Sequence, residues 1–386
     1  MARVFISCGE PSGDLYAAAL ADRLKALDPS VQVTGFGGER LREAGARLVG
    51  DFHGLAVTGL VEAVRVLPRS LAMYRRLVRA ARDERPDVFV AIDFPDFNFR
   101  LAAAMRRLGV PVVYYIPPQL WAWRRGRLRT LAKLADRILV IFPFELGIYQ
   151  AAGTPATFVG HPLVELAGTS SSREAFLAEV GLDASRPTLA LLPGSRPNEV
   201  RQILPTLASS LRSIAGQVPG LQVLVARAPG LADELFAPLR SAPVPVAIVE
   251  RRTDDVLASA EAVVTASGTA TVQAAIHACP MVVVYRVSPL TYRLLRPFVH
   301  VNEIGMVNLV AGSRVAPELV QDAFTPDATA VEAVRLLTDA AARRETKAAL
   351  ERVRGLLGGE GASRRAAEIV WAAAGGRQAA AGRRLP

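Results

Sequence analysis

Two doubly wound α/β domains are predicted for this chain by three observations. Short apolar runs of strand length alternate with longer helical patterns, the scheme occurs twice, and several runs end in Gly- or Asp-containing turns that open a helix. At 386 residues and 51% hydrophobic content the chain exceeds one ordinary domain and can bury two sizeable cores.

In order, the first half reads as strands at Arg3–Cys8, Val31–Phe36, Val88–Ile92, Val110–Tyr115, Ile138–Phe142 and Thr157–Val159. Helical patterns such as Leu15–Leu27 and Leu71–Arg82 separate most of them, as parallel crossovers require. The second half repeats the scheme at Thr188–Leu192, Gln222–Ala226, Val246–Val249, Ala262–Thr265 and Met281–Tyr285. Gly160-His161-Pro162 closes the first domain, and the polar run Thr169–Arg173 is expected to loosen the chain before the second. The expected domains are 1–165 and 166–344, with ligands in a central cleft at the carboxyl ends of the strands. After about Thr325 helical segments follow, and the Ala-, Gly- and Arg-rich segment 375–386 reads as disordered.

Composition narrows the partners. A net charge of +10 and a pI near 10.2 suit nucleic acid, an anionic membrane or a phosphorylated substrate. Cys8 and Cys279 are far apart and lack a His-Cys cluster, so neither a disulfide framework nor a zinc site is indicated, and a reducing cytoplasm fits. The opening MARVFISCGEPSGD turns polar too early for a signal peptide, and no apolar stretch reaches the ~18 residues of a membrane span.

Four turns carry candidate chemistry. In TLALLPGSR, a buried strand delivers Gly194, Ser195 and Arg196 to a helix start, where backbone N–H groups and a guanidinium suit a phosphate. In TASGTAT, Ser267, Gly268 and Thr269 form a second such turn. Gln273, one helical turn on, can reach a ribose hydroxyl; Ser267 or Thr269 reads equally as a helix cap. In FVAIDFPDFN, Asp93 and Asp96 lie beyond a strand, where a carboxylate can act as general base or cap the following helix. In GEPSGD, Glu10 and Asp14 suit sugar hydroxyls, while Ser12 suits an N-cap.

Two basic, apolar segments suit a lipid surface. One carries Leu60, Val64, Leu67 and Leu71 among arginines and is interrupted at Pro68; the other carries Trp121, Trp123, Arg124 and Arg125. Each also reads as a helix with one core face and one solvated face, and the Trp-Arg block as a single-stranded nucleic-acid platform.

The ordered set GEPSGD, TGLVE, IDFPDFN, YIPPQLWAWR, FPFE, VGHP, LLPGSRPNEV, ASGTAT, CPMVVVYR and VNLVAG resembles the lipid-A-disaccharide synthases, inverting glycosyltransferases of the GT-B fold. The resemblance implies transfer of 2,3-diacylglucosamine from its UDP derivative to the 6-hydroxyl of 2,3-diacylglucosamine 1-phosphate (lipid X), without metal or other cofactor. It implies Asp96 as base with Glu10 and Asp93 nearby, Arg196 on the departing diphosphate and Asn308 at the nucleotide-sugar site. It further implies that helices at 345–374 return to complete the first domain, and a cytoplasmic enzyme held peripherally on the anionic inner face of the inner membrane; it is compatible with a homodimer and leaves no role for nucleic acid. Gln273 stands where the family commonly has glutamate, Pro11 and Pro117 where alanine and serine are usual, and Met306-Val307 where leucine-proline is usual. His161 suits a hinge or hydrogen-bonding role better than a base. A UDP-N-acetylglucosamine 2-epimerase shares the architecture but needs no lipid-facing surface. A nucleic-acid binder would leave the two nucleotide turns without purpose.

Overall fold

The computed structural model describes residues 1–52, 60–123, 125–288, 291–293, 296 and 303–381; the side chains of 60–66, 123, 125 and 376–381 lie outside that description. The chain divides into two compact units, one of Met1–Pro162 with Gly358–Pro386 and one of Leu163–Leu357.

The first unit is built on a seven-stranded parallel sheet ordered β3-β2-β1-β4-β5-β6-β7. Its strands are β1 (Arg3–Cys8), β2 (Gln32–Gly37), β3 (Arg47–Asp51), β4 (Val88–Ile92), β5 (Val112–Tyr115), β6 (Arg137–Val140) and β7 (Ala156–Phe158). Between them run α1 (Pro11–Leu27), α2 (Glu39–Glu43), α3 (Leu60–Glu84), α4 (Pro95–Arg107), α5 (Leu120–Trp123), α6 (Leu128–Leu134) and α7 (Glu145–Ala151). The interior strand β4 is buried at every residue, because helices cover both faces of a parallel sheet. That burial is why its sequence is a continuous apolar run.

The second unit repeats the topology on six parallel strands, β10-β9-β8-β11-β12-β13. These are β8 (Thr188–Leu192), β9 (Gln222–Arg227), β10 (Val246–Glu250), β11 (Ala262–Ala266), β12 (Met281–Tyr285) and β13 (Glu318–Val320). Its helices include α8 (Leu163–Leu166), α9 (Arg173–Glu179), α10 (Pro197–Gln217), α11 (Thr253–Ser259) and α12 (Thr269–Ile276). In each sheet the strand order reverses once, between β1 and β4 and between β8 and β11, and such a switch point opens a crevice at the carboxyl ends.

Several expectations are corrected. Strands β3 and β13 were not legible, being short edge strands with charged or turn residues in RLVGD and ELV. Helix α3 runs through Pro68 instead of breaking there. The Thr169–Arg173 run is tied down: Asp255 Oδ1 accepts from Ser170 N at 2.8 Å and Asp255 Oδ2 from the Ser170 hydroxyl at 2.8 Å, while Arg252 NH2 donates to the hydroxyls of Ser170 and Ser171. The helix Ala340–Leu356 belongs to the second unit, so only the last helix, Ala362–Ala381, returns to the first. There it packs on α1, β4 and β5, and Arg365 Nε donates to Val159 O at 2.8 Å. That helix continues to Ala381, past Gly375 where disorder was expected.

Candidate active site

In the first unit the GEPSGD and IDFPDFN turns follow β1 and β4, the two strands that flank the switch point. Asp93 and Phe94 both adopt left-handed backbone, φ 43° and 50°, a costly conformation for such residues. Asn98, on the first turns of α4, holds it in place. Its Nδ2 donates to Asp93 O at 2.8 Å and is shared with Ile92 O and Ser7 O at 3.2 Å, while its Oδ1 accepts from the Ser7 hydroxyl at 2.6 Å. The Tyr114 hydroxyl donates to the same Asp93 carbonyl at 2.8 Å. A side chain at Gly9 would put its Cβ 2.2 Å from Phe94 Cγ, so the two turns interlock only with glycine there. Asn98 was missed as a functional residue, although the motif displayed it as the last letter of IDFPDFN.

The carboxylates around this turn have separate duties. Asp96 is exposed in the first turn of α4, and its Oδ1 accepts from Arg127 NH1 at 2.6 Å. Arg127 in turn lies 4.9 Å over the Phe99 ring. Glu10 is the partly exposed residue preceding α1, so it, and not Ser12, occupies the N-cap position. Asp14 does not offer its carboxylate to a ligand: Oδ1 accepts from Gly38 N at 2.6 Å and Oδ2 from Arg40 N at 3.0 Å, which caps α2.

Beneath the turn lies a buried aromatic layer. Trp121, expected at a lipid surface, is 5% exposed and donates through Nε1 to Glu145 Oε1 at 3.0 Å. An indole with its only donor spent inside the unit serves packing, which corrects that assignment. Trp123 and Arg124 lie outside the described side chains. Burial pushes Glu145 up to about 8, and its Oε2 has no hydrogen-bond partner. Burial pushes His161 down to about 3; it sits edge-on to Tyr16 with ring centres 6.0 Å apart and 5.3 Å from Phe142. A neutral, 2% exposed imidazole is no candidate for a surface base.

In the second unit the phosphate-type turns follow β8 and β11, again the pair at the switch point. Gly194 has φ 120° and stands so close to Glu199 that a Cβ would lie 2.7 Å from Glu199 Oε2. Glu199, on the first turn of α10, uses that oxygen to accept from Ser195 N at 3.0 Å and Arg196 N at 3.2 Å, and Oε1 accepts from Arg196 NH1 at 3.2 Å. An internal carboxylate thus sits on the N–H groups that the sequence offers to a phosphate.

Gly268 and Thr269 are exposed at the start of α12, whereas the Ser267 hydroxyl is spent on Ile304 O at 2.7 Å. Gln273 Nε2 donates to Asp254 Oδ1 at 3.3 Å, and His277 Nε2 lies 2.9 Å from the same oxygen. This amide orientation turns the Gln273 carbonyl oxygen, an acceptor, away from Asp254.

Asn308 is corrected. It is 1% exposed, its Nδ2 donates to Ala316 O at 2.9 Å and Glu318 Oε1 at 2.7 Å, and its Oδ1 accepts from Val315 N at 2.8 Å and Ala316 N at 2.9 Å. That exhausts an amide's capacity, so Asn308 fastens Glu318 instead of reaching a ligand. Glu318 then holds Ile304 N at 2.8 Å and Gly305 N at 2.9 Å, beside the Ser267 turn. Met306 and Val307, where the family pattern differs, are 5% and 1% exposed, so both side chains pack inside the second unit.

On α3, Leu67 and Leu71 are 52% and 45% exposed, one helical turn apart and beside the exposed Arg69, Arg75 and Arg76. Leu60, Val64 and the TGLVE run fall outside the described side chains. Among the described residues no helix is long and apolar enough to cross a membrane, and no three His, Cys, Asp or Glu side chains converge as metal ligands would.

A family model described as Lipid-A-disaccharide synthetase matches residues 4–373. The lipid-A-disaccharide synthase of Myxococcus xanthus is 42% identical over 369 residues, 95% of this chain and 96% of the relative. That of Geobacter sulfurreducens is 41% identical over 372 residues, with the same shares. Among solved structures, the calicheamicin glycosyltransferase CalG4 superposes with a TM-score of 0.59 at 17% identity, covering 97% of this chain and 98% of that one. The UDP-GlcNAc 2-epimerase of Neisseria meningitidis reaches 0.68 at 12% identity, covering 96% and 99%. Likenesses at such low identity show the GT-B-like fold and leave the activity to the family match. With that match spanning nearly the whole chain, the protein belongs to the lipid-A-disaccharide synthase family of glycosyltransferases, which act in lipid A biosynthesis.

Proposed function

We propose that the chain transfers 2,3-diacylglucosamine from UDP-2,3-diacylglucosamine to the 6-hydroxyl of 2,3-diacylglucosamine 1-phosphate, with inversion and without a metal. The observation that carries the reading is the placement of the turns: a strained acidic turn at the switch point of one sheet, two anion-type turns at that of the other. The acceptor belongs to the first and the UDP moiety to the second.

In the reaction Asp96 takes the proton of the acceptor 6-hydroxyl as its oxygen attacks the donor sugar's C1. The new C–O bond forms while the bond from C1 to the β-phosphate oxygen breaks, and UDP leaves with that electron pair. A single displacement inverts C1. Arg196 and the N–H groups of the Gly194–Arg196 and Ser267–Thr269 turns meet the charge growing on the diphosphate. Glu199 moves off the first turn to admit it. Asp93 and Glu10 border the acceptor, and the Gln273 carbonyl accepts from the ribose.

Both substrates carry acyl chains, which supports association of the α3 face with the cytoplasmic side of the inner membrane. There Leu67 and Leu71 enter the headgroup region and the neighbouring arginines meet anionic lipid.

The test incubates the protein with both substrates in non-ionic detergent and follows UDP and lipid products by mass spectrometry. A disaccharide 1-phosphate formed only when both are present is expected. UDP release without disaccharide, or turnover of UDP-N-acetylglucosamine to its 2-epimer, refutes the reading.

A further inference from the structure

We infer that Asp254 is a positioning residue for nucleotide recognition: it takes the NH2 end of the Gln273 amide, so that the carbonyl end faces the ligand and selects a ribose that keeps its hydroxyl groups. The inference rests on the placing of the UDP moiety at the turns of the second unit given above.

Gln273 and His277 stand four residues apart, on one face of the α12 segment that ends at His277. Asp254, in the first turn of α11, meets both of them. Its Oδ1 lies 3.3 Å from Gln273 Nε2 and 2.9 Å from His277 Nε2. A carboxylate offers hydrogen-bond acceptors only, so both nitrogens donate and the oxygen is held from two sides. The reversed amide would set the Gln273 carbonyl oxygen against that carboxylate oxygen, two acceptors with no hydrogen between them. Of the two orientations of the amide, Asp254 accepts one. The cluster is partly withdrawn from water, with Asp254 24% and His277 12% exposed, so the bond that sets the orientation is stronger than it would be in open solvent.

The free end of the amide is thereby defined. Gln273 is partly exposed one helical turn beyond Thr269, and among the described residues its carbonyl oxygen accepts no hydrogen bond. An acceptor so placed pairs with a hydroxyl and is repelled by ether, carbonyl and phosphate oxygens, which bring no hydrogen. On a nucleoside diphosphate that chemistry belongs to the 2′- and 3′-hydroxyls of the ribose. A freely turning amide would meet either kind of group with one of its ends, and the selectivity would be lost. His277 acts one step further back, by holding the Asp254 carboxylate against α12.

The experiment measures by calorimetry, on the full chain, the Kd of UDP, 2′-deoxy-UDP and 3′-deoxy-UDP. Wild type should bind UDP about ten-fold more tightly than at least one deoxy analogue, the loss expected for one neutral hydrogen bond. Gln273→Leu should bring that ratio close to one. Asp254→Ala should bring it most of the way there while leaving the affinity for the deoxy analogue unchanged, a split that general damage to the site does not produce. Should the alanine variant fail to fold, an exchange replaces it. Gln273→Glu alone sets two carboxylates against each other and should weaken UDP binding; adding Asp254→Asn, whose amide donates to the carboxylate at position 273, should restore both the affinity and the ratio. A double variant no better than the single one overturns the inference. So does a wild-type ratio close to one, an unchanged ratio in Gln273→Leu or Asp254→Ala, or an equal loss on all three nucleotides, each of which leaves the transfer reaction in place. A wild type that binds none of the three refutes the placing of UDP in the second unit, and the inference with it.

Discussion

Asn98 Nδ2 donates to the carbonyl oxygen of Asp93 at 2.8 Å, and this bond, with that from the Tyr114 hydroxyl, holds a left-handed turn at the end of β4. Replacing Asn98 with alanine removes the acceptor of the Ser7 hydroxyl and the amide donor to the Ser7, Ile92 and Asp93 carbonyls, of which Asp93 keeps the Tyr114 hydroxyl. The expected cost is about 3 kcal/mol of stability. Chemical denaturation measures it, and a loss below about 1 kcal/mol means the turn supports itself.

Asp96→Asn keeps the shape of the side chain and removes the carboxylate proposed as the base. Transfer is expected to fall at least a hundred-fold, within the usual range for a lost general base, while UDP affinity by calorimetry stays the same. Parallel loss of both places Asp96 on the donor side.

In the proposed reaction Arg196 and Glu199 act in opposite directions on UDP. Arg196→Ala should weaken UDP binding roughly ten-fold, as expected for a lost charged contact. Glu199→Ala removes the carboxylate that occupies Ser195 N and Arg196 N, so UDP binding should tighten although the cap on α10 is lost at about 1 kcal/mol. A weaker UDP complex in the Glu199 variant shows that this carboxylate supports the bound state.

Glu145 makes stability depend on pH. Burial raises its folded-state value from 4.5 to about 8, so between those limits the folded protein holds a proton that the unfolded chain has released. Its contribution is fully present below about pH 4.5 and declines as pH rises through 8, with a slope near 1.4 kcal/mol per unit. Glu145→Gln lacks this titration, so its melting temperature relative to wild type should climb from pH 5 to pH 8. A constant difference contradicts burial as the cause. His161, lowered from 6.5 to about 3 by burial, works in the other direction, favouring the fold as pH rises from about 3 to 6.5 in both proteins.

Asn308→Ala removes four buried hydrogen bonds and leaves Glu318 less well held. A loss of about 3 kcal/mol in denaturation is expected. Unchanged stability with lost UDP affinity restores Asn308 to the nucleotide site.

Much of the fold was legible because buried parallel strands must be apolar along their whole length. Arg3–Cys8, Val88–Ile92, Thr188–Leu192 and Met281–Tyr285 have the bounds that their sequence predicts. The edge strands β3 and β13 were not, since they gain their identity from a neighbour's hydrogen bonds. Among the described residues Arg47–Asp51 pairs only with β2, and Glu318–Val320 only with β12. The passage of α3 through Pro68 escaped for a similar reason: one missing N–H weighs less than the long helix packed around it.

By itself the sequence determined the two α/β repeats, the turns that end their strands and the family to which the ordered motifs belong, because local pattern and turn chemistry are written residue by residue. Tertiary structure alone decided which polar side chains remain for a ligand. Trp121, Asn308 and Asp14 look like binding residues in one dimension, yet each meets its partners 24, 7–10 or 24–27 residues away and spends its donors or acceptors there. Asp96, Arg127 and Glu199 stay at exposed or half-buried turns, where an incoming anion or hydroxyl can replace a weak internal bond. Hydrogen-bond saturation depends on distant neighbours, so no local pattern reports it.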